Sequence, residues 1–148
     1  MKKPAGTIAV IGGSDASDSD CDLARQTGML IAEHGLILLS GGGGGVMEAS
    51  CRGAQQAGGL TIGILAGRDG NTWLDVAIKT EMGHARNIIL IQSADAVIAV
   101  GGGYGTLSEI AIALKTGVPV YGINSWNIPG LIHCQSPQKA LEKILCRL

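Results

Sequence analysis

Glycine constrains this chain more than any other residue type. The 148 residues include 24 glycines, and many of them gather at Gly12-Gly13, at Gly41 to Gly45, and at Gly101 to Gly105 around Tyr104. Each cluster follows a short apolar run and precedes a stretch with helical periodicity. Thr7–Ile11, Leu36–Leu39, Leu60–Leu65, Ala96–Val100 and Val118–Ile123 read as strands, with Asp75–Lys79 as a further short one. Ser17–His34, Val46–Ala57, Ala85–Ser93, the segment that follows Thr106, and Pro137–Leu145 read as helices. Gly35, Gly58-Gly59 and Gly117 act as stop signals, and Ser136 as an N-cap. Met47, Ser50 and Ala54 mark one face of the second helix. Leu107, Ile110, Ala111 and Leu114 mark the buried face of the fourth. Strands alternating with helices imply an α/β fold: a doubly wound, Rossmann-like parallel sheet, spanning 1–148 as a single domain.

In an open parallel sheet, ligands sit beyond the carboxyl ends of the strands, where all three glycine clusters fall. Glycine lets backbone N–H groups converge and lets a ligand approach with no Cβ in the way. Free N–H groups at a helix start, with the positive end of the helix dipole, favour an anion. Gly13, Ser14, Gly42, Gly43, Gly44, Gly45, Gly102, Gly103, Gly105 and Thr106 are therefore the candidate phosphate contacts. The chain has no G-x-G-x-x-G and no Gly-Lys-Ser/Thr, which excludes the dinucleotide fingerprint and the Walker A loop. A mononucleotide or a similar phosphorylated heterocycle fits better.

Composition narrows the partners. Net charge is −1 with Lys and Arg scattered, so no basic stripe marks a nucleic-acid surface. Only Ile8 to Ile11 follows the basic opening Met1-Lys2-Lys3-Pro4, too short an apolar run for a signal peptide, and no later segment approaches a membrane span. The expected location is the cytoplasm. Charged residues make up 16% against the usual quarter, which points to a homo-oligomer, a symmetric dimer by default, that covers apolar surface. The four cysteines are far apart without a C-x-x-C pair and read as reduced small hydrophobes. The three histidines form no ligand-spaced set, so no protein-built metal site is expected.

Gly102-Gly103-Tyr104-Gly105-Thr106-Leu107-Ser108-Glu109 resembles the G-G-x-G-T-x-x-E signature of the lysine-decarboxylase-like proteins, the SLOG superfamily that includes the LOG phosphoribohydrolases. Upstream, Gly83-His84-Ala85-Arg86-Asn87 aligns without a gap to that family's M-H-x-R-K. The resemblance covers most of the chain. It implies cleavage of the N-glycosidic bond of nucleoside 5′-monophosphates, such as AMP-like nucleotides, to base and ribose 5-phosphate. In that reading Gly102, Gly103, Gly105 and Thr106 hold the phosphate. Glu109 engages the ribose and supports attack by water, and Arg86 stabilises charge on the sugar phosphate or assists the leaving group. An oxocarbenium-like state beside a carboxylate is sensible chemistry for this bond. Lysine decarboxylation is not implied, because it needs a pyridoxal phosphate lysine.

Three departures turn the resemblance toward a sister branch: Gly101 replaces the usual proline, Gly83 the methionine and Asn87 the lysine. That branch contains molybdenum-cofactor carrier proteins, shares the Gly-Tyr-Gly-Thr-Leu-Ser-Glu loop and an Ala-Arg-Asn motif, and implies binding of the phosphorylated pterin without turnover. Neither reading requires a resident cofactor.

Blander roles stand beside these. Thr106-Leu107-Ser108-Glu109 is also a T-x-x-E capping box. Arg86 could serve a surface ion pair, Ser14 and Asp15 a turn, and His84 a half-buried polar position. Trp73 and Trp126 sit in loops, where they could cover a ring, a subunit interface or simply pack.

Overall fold

Strand β1 (Thr7–Gly12) is apolar or small throughout and is buried from Ile8 onward. Only a strand with neighbours on both edges and helices on both faces is buried in this way. In the computed structural model, which describes residues 6–148, β1 lies between β2 (Ile37–Ser40) and β5 (Ala96–Val100), with Ile8 paired to both Leu38 and Ala96. The opening Met1-Lys2-Lys3-Pro4 lies outside the described residues. β3 (Thr61–Leu65) and β4 (Val76–Lys79) extend the sheet past β2; β6 (Val120–Ile123) and β7 (Ile132–His133) extend it past β5. The result is one seven-stranded sheet of order β4-β3-β2-β1-β5-β6-β7, parallel at every pairing. This is the expected α/β, Rossmann-like arrangement.

Alternation along β1 divides the core in two. Ile8 and Val10 face α1 (Asp18–Glu33), α2 (Val46–Gln56) and α5 (Pro137–Leu145), meeting Ala24, Ile31, Cys51, Ala54, Leu141 and Ile144. Ala9 and Ile11 face α3 (Arg86–Gln92) and α4 (Tyr104–Thr116), meeting Leu90, Ile91, Ile110 and Ala113. Helix ends follow the local chemistry. Ser17 Oγ accepts the Asp20 N–H at 3.1 Å, with Asp18 and Asp20 in the positive first turn of α1. Ser136 Oγ accepts from Lys139 N at 3.2 Å, as its sequence position suggested.

The two-residue β7 is too short to show any periodicity in the sequence. Two expectations need correction. α4 buries Thr106, Ile110 and Ala113, while Ala111 is exposed. This helix is apolar nearly all round, so spacing alone does not select its inner face. The capping box does not form either. α4 starts at Tyr104 with Gly103 as its N-cap and no side-chain cap bond, and Thr106, only 3% exposed, is turned inward under Gly102.

β4 closes one edge of the sheet with Val76 and Ile78 exposed, and Met82 and Ile88 are exposed as well. No helix among the described residues is long and apolar enough to cross a membrane.

Candidate functional site

β1 and β5 are neighbours whose onward connections run opposite ways, to β2 on one side and to β6 on the other. Their carboxyl ends therefore form the topological switch point, where the diverging loops leave a crevice. A cleft of about 420 Å³ lies there. Gly13, Ser14 and Asp15 line it from the loop after β1. Gly103, Gly105, Thr106 and Glu109 line it from the start of α4, Arg86 and Asn87 from the start of α3, and His84 from the short turn just before α3. Met47 completes the wall from the first turn of α2, a contact its apolar character gave no reason to expect.

The start of α4 supplies the donors. With no side-chain cap, the N–H groups of Tyr104, Gly105 and Thr106 have no partner inside the helix. A Cβ added at Gly103 or Gly105 would meet nothing within 4 Å, so the space beside these two residues is open. A helix start of this kind favours a phosphate through both its hydrogen bonds and its dipole.

Arg86 is positioned from below. Its Nη1 donates to the Ile64 carbonyl at the end of β3 at 2.8 Å, and its guanidinium lies so close to Gly41 that any Cβ there would overlap it. It takes part in none of the ion pairs found among the described residues, so the surface-pair role does not apply. Its Nε is buried with no hydrogen-bond partner, and so is Oδ1 of Asn87, a residue only 6% exposed. Buried polar atoms without partners are costly, and here they fall on two consecutive residues of the cleft wall.

Glu109 is half-buried within α4 and takes part in no ion pair among the described residues. Burial disfavours its charged form and raises its carboxyl to about 7, against an opposing pull from the Arg86 charge. Asp15, His84, Arg86 and Glu109 are the ionisable groups on the wall of the cleft.

Not all the candidate glycines reach this cleft. Gly102 lines an adjoining hollow instead. Gly42 donates to Ser40 Oγ at 3.0 Å and accepts from Asn71 N at 2.8 Å, while the Gly43 carbonyl accepts from Asn71 Nδ2 at 2.9 Å. Gly45 is the N-cap of α2, packed against Gly13, whose carbonyl accepts from Val46 N at 3.1 Å. Gly42, Gly43, Gly44 and Gly45 are absent from the cleft wall. Trp73 is occupied too, with Arg52 held over its ring at 5.6 Å. All four cysteines are free thiols, and burial pushes those of Cys51 and Cys134 up.

Residues 5–145 match the SLOG cluster4 family. The chain belongs to that family. An Archaeoglobus fulgidus protein is 47% identical to it over 138 residues, with 91% of each chain covered. The molybdenum cofactor binding protein of Rippkaea orientalis superposes on this SLOG cluster4 chain with TM-score 0.89 at 38% identity, covering 99% and 98% of the two chains. The Moco carrier protein of Chlamydomonas reinhardtii does so at 0.88 and 33%, covering 97% and 99%. Cytokinin riboside 5′-monophosphate phosphoribohydrolase LOG5 of Arabidopsis thaliana is 30% identical over 70% of the chain, which spans 49% of that enzyme.

Proposed function

We propose that this protein binds a phosphorylated pterin- or nucleotide-like small molecule and acts as a carrier or store for molybdenum cofactor. The observation that carries this reading is the uncapped start of α4 on the wall of the cleft, where Gly103 and Gly105 leave the space of a Cβ open. Gly13, Ser14, Gly103, Gly105 and Thr106 would surround the phosphate, and Arg86, on the same cleft wall and in no ion pair among the described residues, would pair with it. Asn87 offers an amide to the same ligand. The cofactor's own contribution, when bound, is its metal–dithiolene chemistry; these residues hold and shield it. The likeness to the two molybdenum-cofactor proteins over nearly the whole chain supports the assignment.

A LOG-type phosphoribohydrolase is the second reading, favoured by Arg86 and Glu109 lining the same cleft. A carboxyl with its pKa raised to about 7 would be about half ionised at neutral pH, which lowers a step that needs the charged form only about twofold. A homo-oligomer remains part of the proposal, supported by the exposed Val76, Ile78, Met82 and Ile88.

Two assays on the purified protein separate the readings. Anaerobic incubation with molybdenum cofactor, followed by gel filtration, is expected to carry molybdenum and pterin through with the protein. Incubation with AMP and N6-alkylated AMP is expected to release no free base. Base release that disappears in Glu109→Gln would replace the carrier with the hydrolase, since a catalytic carboxylate is worth about a hundredfold or more in rate.

A further inference from the structure

The Gly101–Gly103 turn has a second face. It borders a hollow of about 480 Å³, lined among others by Asp20, Gly102, Asn124, Ser125, Trp126 and Asn127. Gly102 lines this hollow, and its chain neighbour Gly103 lines the cleft. Tyr104 follows directly and stands 85% exposed. Its ring stacks toward Trp126, with centroids 6.1 Å apart and planes 28° from parallel. Trp126 is fixed in turn, since its Nε1 donates to the Gly103 carbonyl at 3.1 Å.

Neighbouring side chains hold this rim in place. Ser125 Oγ donates to the Gly101 carbonyl at 2.7 Å. Asn124 adopts a left-handed conformation at φ 51° and donates through Nδ2 to Asp20 Oδ1 at 3.0 Å. Such a conformation is uncommon for a non-glycine residue and persists only where its surroundings enforce it. The other Asp20 oxygen accepts no hydrogen bond among the described residues, which leaves an acceptor on the wall of the hollow.

A tyrosine this exposed gains little from its own burial. A pair of aromatic rings locked to a phosphate-binding loop is, however, a stacking surface for a flat heterocycle. We propose that Tyr104 and Trp126, with the hollow beside them, form a ring subsite that stacks the nitrogen heterocycle of the ligand whose phosphate occupies the cleft. Asp20 accepts from the amino or N–H edge of that ring. The proposal rests on the phosphate reading of the cleft, but the two can fail separately.

The test uses GMP, whose guanine carries the same 2-amino-4-oxo edge as a pterin, with guanosine and ribose 5-phosphate as its two halves. Trp73→Phe leaves Trp126 as the single tryptophan of the two, so its fluorescence reports stacking while melting temperature reports binding. GMP is expected to quench Trp126, guanosine to quench it at higher concentration, and ribose 5-phosphate to raise the melting temperature without quenching. Tyr104→Ala, at an exposed position that does not threaten folding, should weaken GMP by about tenfold to a hundredfold and leave ribose 5-phosphate unchanged. Trp126→Phe should retain most of the GMP affinity. If GMP binds no better than ribose 5-phosphate, or equally well in Tyr104→Ala, the ring subsite is wrong and the phosphate cleft survives. If guanosine quenches while ribose 5-phosphate fails to bind, the ring subsite stands and the phosphate reading falls. Neither base nor sugar phosphate binding would overturn both.

Discussion

Gly41 to Met47 and Gly101 to Leu107 share the pattern G-G-G-x-G-x-[ML], and both join a strand to a helix at the same end of the sheet. They do opposite things. In the first, the backbone is used internally: Ser40, Asn71 and Gly13 take up Gly42, Gly43 and Val46, and Arg86 lies where a Gly41 side chain would be. In the second, Gly101 and Gly102 lie against Asp20 and Thr106, but the helix start is left uncapped and Gly103 and Gly105 face open space. Glycine thus serves close packing in one loop and access in the other. The first loop, by holding Arg86 and the β1 turn, builds the wall that the second loop faces.

The sharpest way to break this contrast is to add one methyl group to each loop. Gly45 has φ 59°, and a Cβ there would collide with the Gly13 carbonyl. Gly45→Ala is therefore expected to cost about 3 kcal/mol or more of unfolding free energy, or to prevent folding. Gly105→Ala meets nothing within 4 Å and lies inside a helix, so it should be neutral or stabilising by up to about 1 kcal/mol. Its cost should instead fall on phosphate binding. Urea denaturation of both variants decides the matter; equal midpoints would mean that the two loops are alike after all.

Much of the scaffold was legible in the sequence. Ala96–Val100 reads as a buried parallel strand because every residue in it is small or apolar, and all five are buried. Ser136 before Pro137 reads as a cap, and it caps. The division of labour between the glycine loops was not legible, because the atoms that fill the first come from Asn71, 28 positions away. Likewise the group that fixes Trp126 to the second is 23 positions distant. T-x-x-E has the same letters whether the threonine stands at the N-cap or, as Thr106 does, inside the first turn. The site residues Arg86, Asn87 and Glu109 drew notice through motif resemblance, while their unpartnered atoms and the altered acidity of Glu109 are products of packing.

Glu109 tests the second loop by pH. Its folded pKa, near 7, is raised above the usual value of 4.5 by burial. The folded state therefore holds a proton that the unfolded chain releases. The associated stability is present below about pH 4.5 and is lost as pH rises through 7. Glu109→Gln removes that loss. The variant should match the parent near pH 4.5 and exceed it by about 1–2 kcal/mol at pH 8, allowing for partial solvent access. A variant uniformly less stable at both pH values would instead reveal a structural bond to Glu109 and remove the case for a desolvated carboxyl facing the cleft.

The smallest effect is expected at the brace of the first loop. Asn71 holds Gly43 through Nδ2 and accepts the Trp73 N–H at 2.9 Å through Oδ1. Asn71→Ala removes both bonds but leaves its backbone N–H on the Gly42 carbonyl. A net loss of about 1 kcal/mol follows from the usual worth of such bonds at a half-buried position. If the first loop is purely structural, the loss should appear in stability alone, with affinity for ribose 5-phosphate the same as in the parent. A parallel fall in affinity would show that the order of the first loop passes through Gly41 and Arg86 to the cleft, so that the packed loop acts on the ligand at one remove.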